Sequence, residues 1–371
     1  MRRTSLAVRR KVPTGTRPPP LPSNAGTGEP GGVSSSGRRT RVRRWGRPRK
    51  AATRVSVQIE GVAQGIVITG ADPARPVLLW VHGGPGMPDY VLTDGYPPAL
   101  EDLFTVAWWD QRGAGLSYDP AIPPESMTIE QFVEDTLAVT DYLRERFDQD
   151  RIFILGHSWG SFIAIQAAAR SPERYRAYIG MAQVVHQIES EEIAYDYMLD
   201  AYRARGNRRM VRALEAAPVT ASGTPAAYLR LRDKAMHGLG VGTTRHMRSV
   251  VTGIFLRSVG FRGYSVREKV DLWRGRAFSR SFGLWEQFIH IDLRERVPSL
   301  EVPAYFLEGR FDYTCVTALA EDYLRRLAAP VKGLYVFGDS AHSPVLEQPE
   351  LAHRILATDV LNGTTSLADL R

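Results

Sequence analysis

Several scarcities in the 371-residue sequence exclude whole classes of protein. Cys315 is the one cysteine, so no disulfide can form within the chain and nothing points to an oxidising compartment. No run of residues approaches the roughly 20 apolar residues that a membrane-spanning helix needs. Hydrophobic residues make up 43% and charged residues 24% of the chain, which is typical of a globular protein with a sizeable core. We expect a cytoplasmic protein with no membrane association.

Acidic residues are almost missing from the N-terminal segment, and this changes the meaning of the net charge. Residues 1–54 carry 15 of the 48 Lys and Arg residues but one acid, Glu29. The overall charge of +8 therefore divides into +14 in this segment and −6 in the remainder. Residues 1–53 are also rich in Pro, Gly and Ser, so we predict a disordered basic tail there. A transit peptide or a nucleic-acid arm is the alternative, and the acidic body limits any nucleic-acid contact to this tail.

Two common kinds of ligand-binding motif are missing as well. The sequence has no H-E-x-x-H and no cysteine cluster, which are patterns typical of metal sites. No G-x-G-x-x-G follows the first strand, so nothing indicates a nucleotide cofactor. We therefore predict chemistry carried out by side chains and backbone alone, with no metal and no cofactor.

The segment at residues 151–161 predicts a buried strand, a sharp turn and the start of a helix. Residues 152–155 form a short apolar run, as expected of a parallel strand covered on both faces. Residues 156–160, Gly-His-Ser-Trp-Gly, match the G-x-S-x-G pattern, in which a serine sits on a strained strand-to-helix turn. The two glycines allow strand and helix to approach each other closely. The pattern predicts that Ser158 is a nucleophile.

Alternating strand and helix patterns predict the fold class, an α/β protein with a mostly parallel, doubly wound sheet. The predicted strands are at 55–60, 65–69, 77–81, 104–109, 152–155, 177–181, 303–307 and 334–337. Between them lie predicted helices at 128–147, 161–170, 316–327 and 346–358. Residues 184–298 show only helical patterns, at 193–204, 208–217, 225–236 and 285–293. We predict an α/β core formed by residues 54–183 and 299–371, with residues 184–298 inserted as a helical cap over the strand ends, where ligands bind.

A serine nucleophile needs a base and an acid, and two late strands are followed by candidates. Asp312 and His342 each lie in a loop after one of these strands. A neutral imidazole takes the serine proton, and a carboxylate holds the imidazole in one tautomer. Of the eight histidines, His342 is the one in a loop after a late strand. Asp339 and Glu308 are alternatives to Asp312, although Asp339 shares the loop of His342.

Two backbone N–H groups are expected to stabilise the oxyanion that forms when a serine attacks a carbonyl. One belongs to Trp159, the residue after the nucleophile. The other belongs to the loop His-Gly-Gly-Pro-Gly at residues 82–86, where Gly83 and Gly84 let the backbone approach a substrate.

Three motifs together resemble the proline iminopeptidase (prolyl aminopeptidase) branch of the α/β-hydrolases: HGGPG at 82–86, DQRGAGLS at 110–117 and GHSWGS at 156–161. The similarity covers residues 54–183 and, at the acid and histidine loops, 300–360. It implies an α/β-hydrolase fold with an inserted helical cap. It also implies a serine hydrolase that forms an acyl-enzyme on small substrates with a free N-terminal amine, often proline. By this resemblance Ser158 is the nucleophile, Asp312 the acid and His342 the base, while Gly84 and Trp159 supply the oxyanion hole.

Peptidases of this branch bind the substrate amine with glutamates of the cap. Glu286, in Leu-Trp-Glu at 284–286, resembles a cap Trp-Glu motif, and the alternative is an acidic helix start with Glu189, Glu191, Glu192 and Asp196. The chain departs from the branch at His157, where the usual residue is glycine. Besides a peptidase for a small-molecule or short-peptide substrate, two functions stay open: an esterase, lactonase or amidase of a small-molecule pathway, and a non-catalytic binder. The oligomeric state is open too.

Overall fold

The computed structural model describes residues 52–371, which form an eight-stranded sheet covered by helices. The strands are β1 (Thr53–Ile59), β2 (Val62–Thr69), β3 (Val77–Val81), β4 (Thr105–Trp109), β5 (Ile152–His157), β6 (Tyr175–Met181), β7 (Ala304–Gly309) and β8 (Lys332–Phe337). Their order in the sheet is β1-β2-β4-β3-β5-β6-β7-β8. The β1–β2 and β2–β4 pairs are antiparallel, and the remaining pairs are parallel. The prediction of a mostly parallel α/β sheet is confirmed.

Side chains of the central strands pack alternately on the two faces of the sheet. In β3, Val77, Leu79 and Val81 belong to one hydrophobic cluster, whereas Leu78 and Trp80 belong to another. All five are buried. Burial on both faces explains why the strand is a continuous apolar run in the sequence rather than an alternating one.

Helices cover both faces of the sheet and fill the chain between β6 and β7. They are α1 (Ile129–Arg146), α2 (Trp159–Arg170), α3 (Gln187–Ala204), α4 (Arg208–Glu215), α5 (Ala226–Leu239), α6 (Leu256–Gly260), α7 (Val266–Arg280), α8 (Leu284–Phe288), α9 (Leu293–Arg296), α10 (Thr317–Arg326), α11 (Pro344–Glu347) and α12 (Pro349–Ile355). Short 3₁₀ helices lie at Asp89–Leu92, Gly115–Ser117, Pro124–Ser126 and Pro172–Arg174, and π-helical turns at Val251–Phe255 and Leu356–Val360.

Helices α3 to α9 follow one another between β6 and β7. A third hydrophobic cluster joins α3, α4 and α5 through side chains such as Met198, Leu214 and Tyr228. We propose that residues 184–298 form a cap on a core of residues 54–183 and 299–371, and this separate cluster supports the proposal. Every named strand of the described residues lies outside 184–298.

The cap differs from the prediction in its later helices. The predicted single helix at 285–293 is wrong, because α8 ends at Phe288 and α9 begins only at Leu293. Helix α7 was not predicted, because its sequence contains many charged residues and has a glycine, Gly275, in its interior. A capping box marks its start: Ser265 Oγ accepts from the Glu268 N–H (3.3 Å), and the Glu268 carboxylate accepts from the Ser265 N–H (2.6 Å).

Two further predictions concern membranes and the N-terminal segment. Within the described part of the chain, every helix is too short or too polar to span a bilayer. The predicted basic tail at residues 1–53 lies outside the described residues except for its last two positions.

Candidate active site

Ser158 lies on the sharp turn between β5 and α2, at φ 54° and ψ −121°. A positive φ is rare for a residue with a side chain, so the turn holds strain. Both flanking glycines are required by close contacts. A Cβ at Gly156 would lie 2.5 Å from the Ser161 Cα, and one at Gly160 would lie 2.6 Å from the His82 carbonyl oxygen. The glycines of the G-x-S-x-G pattern therefore let β5, α2 and the loop after β3 converge on the serine.

Asp312 and His342 meet across the ends of β7 and β8. His342 Nδ1–H donates to Asp312 Oδ2 over 2.7 Å, and Asp312 is 2% exposed. The other oxygen of Asp312 accepts from the backbone N–H groups of Thr314 (2.7 Å) and Cys315 (3.0 Å). These bonds fix the orientation of the carboxylate. With Nδ1 engaged as a donor, His342 presents Nε2 as its acceptor.

Ser158 and His342 line the same cavity, which has a volume of about 420 Å³. Trp159, Trp285 and Phe288 are part of its apolar wall. Among residues 52–371, the side chain of His342 is hydrogen-bonded to Asp312 alone, so no bond joins it to Ser158 in this structure. Such contacts are often loose before a substrate binds. The sequence-predicted acid and base are thus brought together, and the serine shares their cavity.

The predicted oxyanion loop runs along the same cavity. Gly84 has a φ of 128°, and a Cβ there would lie 2.6 Å from the Gly86 nitrogen. A Cβ at Gly83 would come within 3.3 Å of the Ser158 Cβ, so the loop passes directly beside the serine. Gly83, Gly84 and Trp159 all line the cavity. The assignment of the Gly84 and Trp159 N–H groups as the oxyanion hole stays a prediction.

Gln111, from the DQRGAGLS motif, joins the oxyanion loop at residues 82–86 to the strand-to-helix turn that carries Ser158. Its side-chain N–H donates to the His82 carbonyl (2.7 Å), and its side-chain oxygen accepts from the Trp159 indole N–H (2.9 Å). The backbone N–H of Gln111 donates to His82 Nε2 (3.1 Å), and His82 Nδ1–H donates to the Gly83 carbonyl (2.7 Å). His82 is therefore neutral, and burial lowers its pKa to about 4. This histidine supports the loop.

Two other members of the motif anchor it to its surroundings. Asp110 accepts from the Leu116 N–H (2.8 Å) and from the hydroxyl of Tyr264, in the cap (3.2 Å). Burial raises the pKa of Asp110 to about 7. Arg112 forms a buried, bidentate pair with Asp135 of α1, with both N–O distances at 2.7 Å. The motif therefore fixes one loop to the cap and to the core at once.

A second histidine–aspartate pair, which the sequence did not predict, lies beside the predicted catalytic triad of Ser158, Asp312 and His342. His157 Nδ1–H donates to Asp89 Oδ2 (2.8 Å), and Nε2–H donates to the backbone carbonyl of His342 (2.9 Å). Since both partners can only accept, His157 carries both ring protons and a positive charge. Burial works to lower the pKa of His157, but the charge of Asp89 outweighs it and the pKa is raised. His157, where the branch usually has glycine, thus holds the backbone of His342.

The loop of His342 is also bonded to a cap loop that contains Thr243 and Arg245. The Ser343 hydroxyl donates to the Thr243 carbonyl over 2.8 Å. Glu347 accepts from the backbone N–H of Arg245 on the cap side (2.5 Å) and from that of Ser343 on the other (3.2 Å). The position of the predicted base therefore depends on the cap.

Glu286, the predicted amine-binding residue, lines the cavity with an exposed side chain. It makes no ion pair or hydrogen bond within the described residues. The alternative acidic cluster lies apart from the cavity. In that cluster Glu189 pairs with Arg294 (2.6 Å) and Glu191 with Arg232 (2.6 Å), so both carboxylates already have partners.

The alternatives to Asp312 are unsuited to its role. Glu308 is buried and accepts from the Gln183 N–H (2.9 Å), and burial raises its pKa well above the usual value, so the charged form is disfavoured. Asp339 is exposed. Cys315 is buried, and burial raises the pKa of its thiol. Across residues 52–371, no group of three or more His, Cys, Asp or Glu side chains is arranged to hold a metal ion.

Comparison with known proteins defines the class. A family model described as the alpha/beta hydrolase fold matches residues 76–349. The chain belongs to the α/β-hydrolase family and is a hydrolase. The predicted proline iminopeptidase-like branch is confirmed by relatives in sequence.

These relatives include peptidases. A Bacillus subtilis protein named "Probable aminopeptidase YbaC" is 32% identical over 298 residues, which cover 80% of this chain and 92% of that protein. The proline iminopeptidase of Thermoplasma volcanium is 29% identical over 151 residues, which cover 40% of this chain and 49% of that protein. Two crystal structures share the fold at a TM-score of 0.59. VinJ is 20% identical, and the match covers 86% of this chain and 100% of that one. The proline iminopeptidase of Mycobacterium smegmatis is 18% identical, and the match covers 84% of this chain and 98% of that one.

Proposed function

We propose that this hydrolase cleaves the amide bond that follows the N-terminal residue of small peptides or amides, through an acyl-enzyme on Ser158. The observation that carries the proposal is the 2.7 Å hydrogen bond between Asp312 and His342 at the rim of the cavity that Ser158 lines. The aminopeptidase names of the relatives support the choice of an amide with a free amine.

The reaction begins when Ser158 Oγ attacks the substrate carbonyl carbon and His342 Nε2 takes the serine proton. Asp312 stabilises the imidazolium that forms and keeps the ring in one orientation. The C–N bond breaks as His342 returns the proton to the leaving amine, and the acyl group stays on Ser158. Water then attacks the ester, with His342 again as base, and releases the N-terminal residue as a free acid.

The oxyanion of each tetrahedral intermediate is bound by the backbone N–H groups of Gly84 and Trp159. Two features support this assignment. The oxyanion loop runs so close to Ser158 that a Cβ added at Gly83 would lie 3.3 Å from the Ser158 Cβ, and Gln111 holds that loop to the Trp159 indole. Donors fixed in advance stabilise a developing charge without reorganising during the reaction.

Glu286 binds the protonated amine of the substrate. Its carboxylate is the one in the cavity lining that has no partner among residues 52–371. Asp89 is paired with His157 (2.8 Å), and Asp233 lies 3.7 Å from Arg232. An ammonium group placed at Glu286 would gain an ion pair with a carboxylate that faces the cavity.

The test compares a prolyl arylamide with a short-chain aryl ester of an acid that lacks an amine. We expect arylamide turnover by the wild-type protein and none by Ser158→Ala. Equal rates for the two proteins would contradict the mechanism. Turnover of the ester without the arylamide would contradict the amide specificity and favour the esterase alternative.

A second variant tests the amine site. Glu286→Gln is expected to raise KM for the arylamide about tenfold or more, because it removes one charged hydrogen-bond partner. Glu295→Gln, an exposed carboxylate of the cap that does not line the cavity, is the control. An unchanged KM in Glu286→Gln would remove this residue from the site.

A further inference from the structure

Helix α7 is pressed against the two glycine-rich loops of the site. A Cβ at Gly275 would lie 2.7 Å from the Gly113 carbonyl oxygen, and one at Gly86 would lie 2.6 Å from the Ser279 Cβ. Gly275 and Ser279 are one turn apart, so they define the face of α7 that contacts both loops. These contacts fix the rotation of the helix and its position along its axis.

The fixed rotation places Arg276 and Arg280 in the wall of the cavity that Ser158 and His342 also line. The Arg276 guanidinium lies 5.4 Å from the centre of the Trp273 ring and is half-buried. Within the described part of the chain it forms no ion pair and no hydrogen bond. Burial, and then the nearby charge of Arg280, lower the pKa of Arg276. Its charge is therefore partly removed from water without a carboxylate partner.

Among residues 52–371, no carboxylate forms an ion pair with Arg276, although the charge of Asp233, another residue of the cavity lining, opposes the lowering of its pKa. Arg232 is already held by Glu191 over 2.6 Å, with Asp233 at 3.7 Å. Asp89 is held by His157, on the core side of the cavity. The cap side is left with guanidinium groups that lack a carboxylate within ion-pair distance. Such an arrangement favours an anion in the cavity.

We infer that Arg276 binds a carboxylate group of the substrate, with Arg280 contributing to the field. This inference rests on the proposed function, since it assigns a second charge to the same substrate. A short peptide with free ends carries an ammonium group at one end, which suits Glu286, and a carboxylate at the other, which suits Arg276. The guanidinium matches a carboxylate with two parallel hydrogen bonds. An acidic side chain on the N-terminal residue is the other source of such a carboxylate.

The test uses two pairs of substrates that differ by one charge. The first pair is a prolyl dipeptide and its C-terminal amide, and the second is a glutamyl and a glutaminyl arylamide. We expect the wild-type kcat/KM to favour the charged member of one pair by about 10- to 100-fold. Arg276→Gln should bring that ratio close to one, and Arg276→Lys should keep part of it. The control is Arg274→Gln, an exposed arginine of α7 that lies 3.8 Å from Asp271 and outside the cavity lining.

The ratio of kcat/KM for the charged and uncharged members of a pair separates binding of a carboxylate from a general loss of structure. A misplaced helix would slow the cleavage of both members and leave the ratio unchanged. A changed ratio in the dipeptide pair assigns Arg276 to the C-terminal carboxylate, and one in the glutamyl pair assigns it to the side chain. Equal ratios in wild type and Arg276→Gln for both pairs would overturn the inference.

If no amide is cleaved at all, the proposed function fails, and the carboxylate site is tested by thermal stabilisation. 4-Nitrobenzoate, but not 4-nitrobenzamide, should then raise Tm, and Arg276→Gln should abolish the difference. Equal effects of the two compounds would refute the site.

Discussion

Replacing Asp89 with asparagine removes the negative charge that faces the His157 imidazolium and keeps nearly the same shape. Asp89 is 4% exposed and also accepts from the Trp80 indole N–H over 2.9 Å. Removing one partner of a buried ion pair costs about 3–5 kcal/mol, because the other charge stays buried without compensation. The asparagine oxygen can still accept a hydrogen bond, so we expect a loss of about 3 kcal/mol in the free energy of unfolding at pH 5.5.

The cost of this replacement should depend on pH. The pKa of His157 is raised above 6.5 in the folded protein, so its contribution is complete below pH 6.5 and is lost as the pH rises through the raised pKa. Burial works to raise the pKa of Asp89, but the charge of His157 outweighs it and the pKa falls below 3.8. That contribution is present above pH 3.8 and is lost as the pH falls through the lowered pKa. The cost of Asp89→Asn is therefore expected to be largest between pH 3.8 and pH 6.5 and to fall as the pH rises through the raised pKa of His157.

Urea unfolding at pH 5.5 and pH 9, followed by far-ultraviolet circular dichroism, measures both quantities. Tryptophan fluorescence is less suitable because Trp80 contacts the changed residue. Asp102→Asn, an exposed carboxylate, is the control, and it should change stability by less than about 0.5 kcal/mol at either pH. A cost for Asp89→Asn below about 1 kcal/mol at pH 5.5 would refute the charged state that we assign to His157.

Four other predictions concern the triad, the packing of α7, the core and the N-terminal segment. Asp312→Asn should lower kcat for the prolyl arylamide by about 10⁴-fold, since His342 loses the carboxylate that orients it, and a loss below tenfold would contradict the assignment. Gly275→Val should lower the free energy of unfolding by roughly 1–3 kcal/mol, because the valine side chain would meet the loop at Gly113. The control is Ala277→Val, at an exposed position of α7, and equal Tm values for the two variants would contradict the contact. Arg112→Met should lower the free energy of unfolding in urea by about 3–5 kcal/mol, because Asp135 stays buried without its partner. Arg146→Met, at the exposed end of α1, should change it little, and similar losses for the two variants would show that the Arg112–Asp135 pair is unimportant. A chain that starts at residue 52 should keep its kcat/KM, because the cavity lining begins at Gly83, and a loss would assign a role to the basic segment.

Local patterns in the sequence were enough to predict the strands and to place the proposed acid and base in loops that meet. The strand at 77–81 was predicted residue for residue, because burial on both faces leaves a continuous apolar run. Asp312 and His342 could be predicted because parallel strands bring their carboxyl ends to one edge of a sheet. Their hydrogen bond follows from that topology.

Contacts between distant segments could not be predicted in the same way. His157 and Asp89 are 68 positions apart, and neither residue type at its position indicates the other. The cavity wall on α7 was missed for a related reason: the helix has no clear apolar stripe, since its packing depends on Gly275 against a backbone rather than on large side chains. The Ser265–Glu268 capping box was the one local signal that could have revealed it.

The hydrogen bonds between the cap loop and Ser343 and Glu347 limit how this protein can acquire new substrates. A cap transplanted from a relative would have to supply an acceptor at the position of Thr243 and a donor at that of Arg245. Without them the loop that carries His342 would be held by Asp312 and His157 but not by the cap, and we expect a chimaera to lose turnover even with a well-shaped pocket. Replacement of single side chains, such as those of α7 that line the cavity, leaves this attachment intact. Point substitution in the cap is therefore a safer route to altered specificity, for evolution and for protein engineering, than exchange of the whole cap.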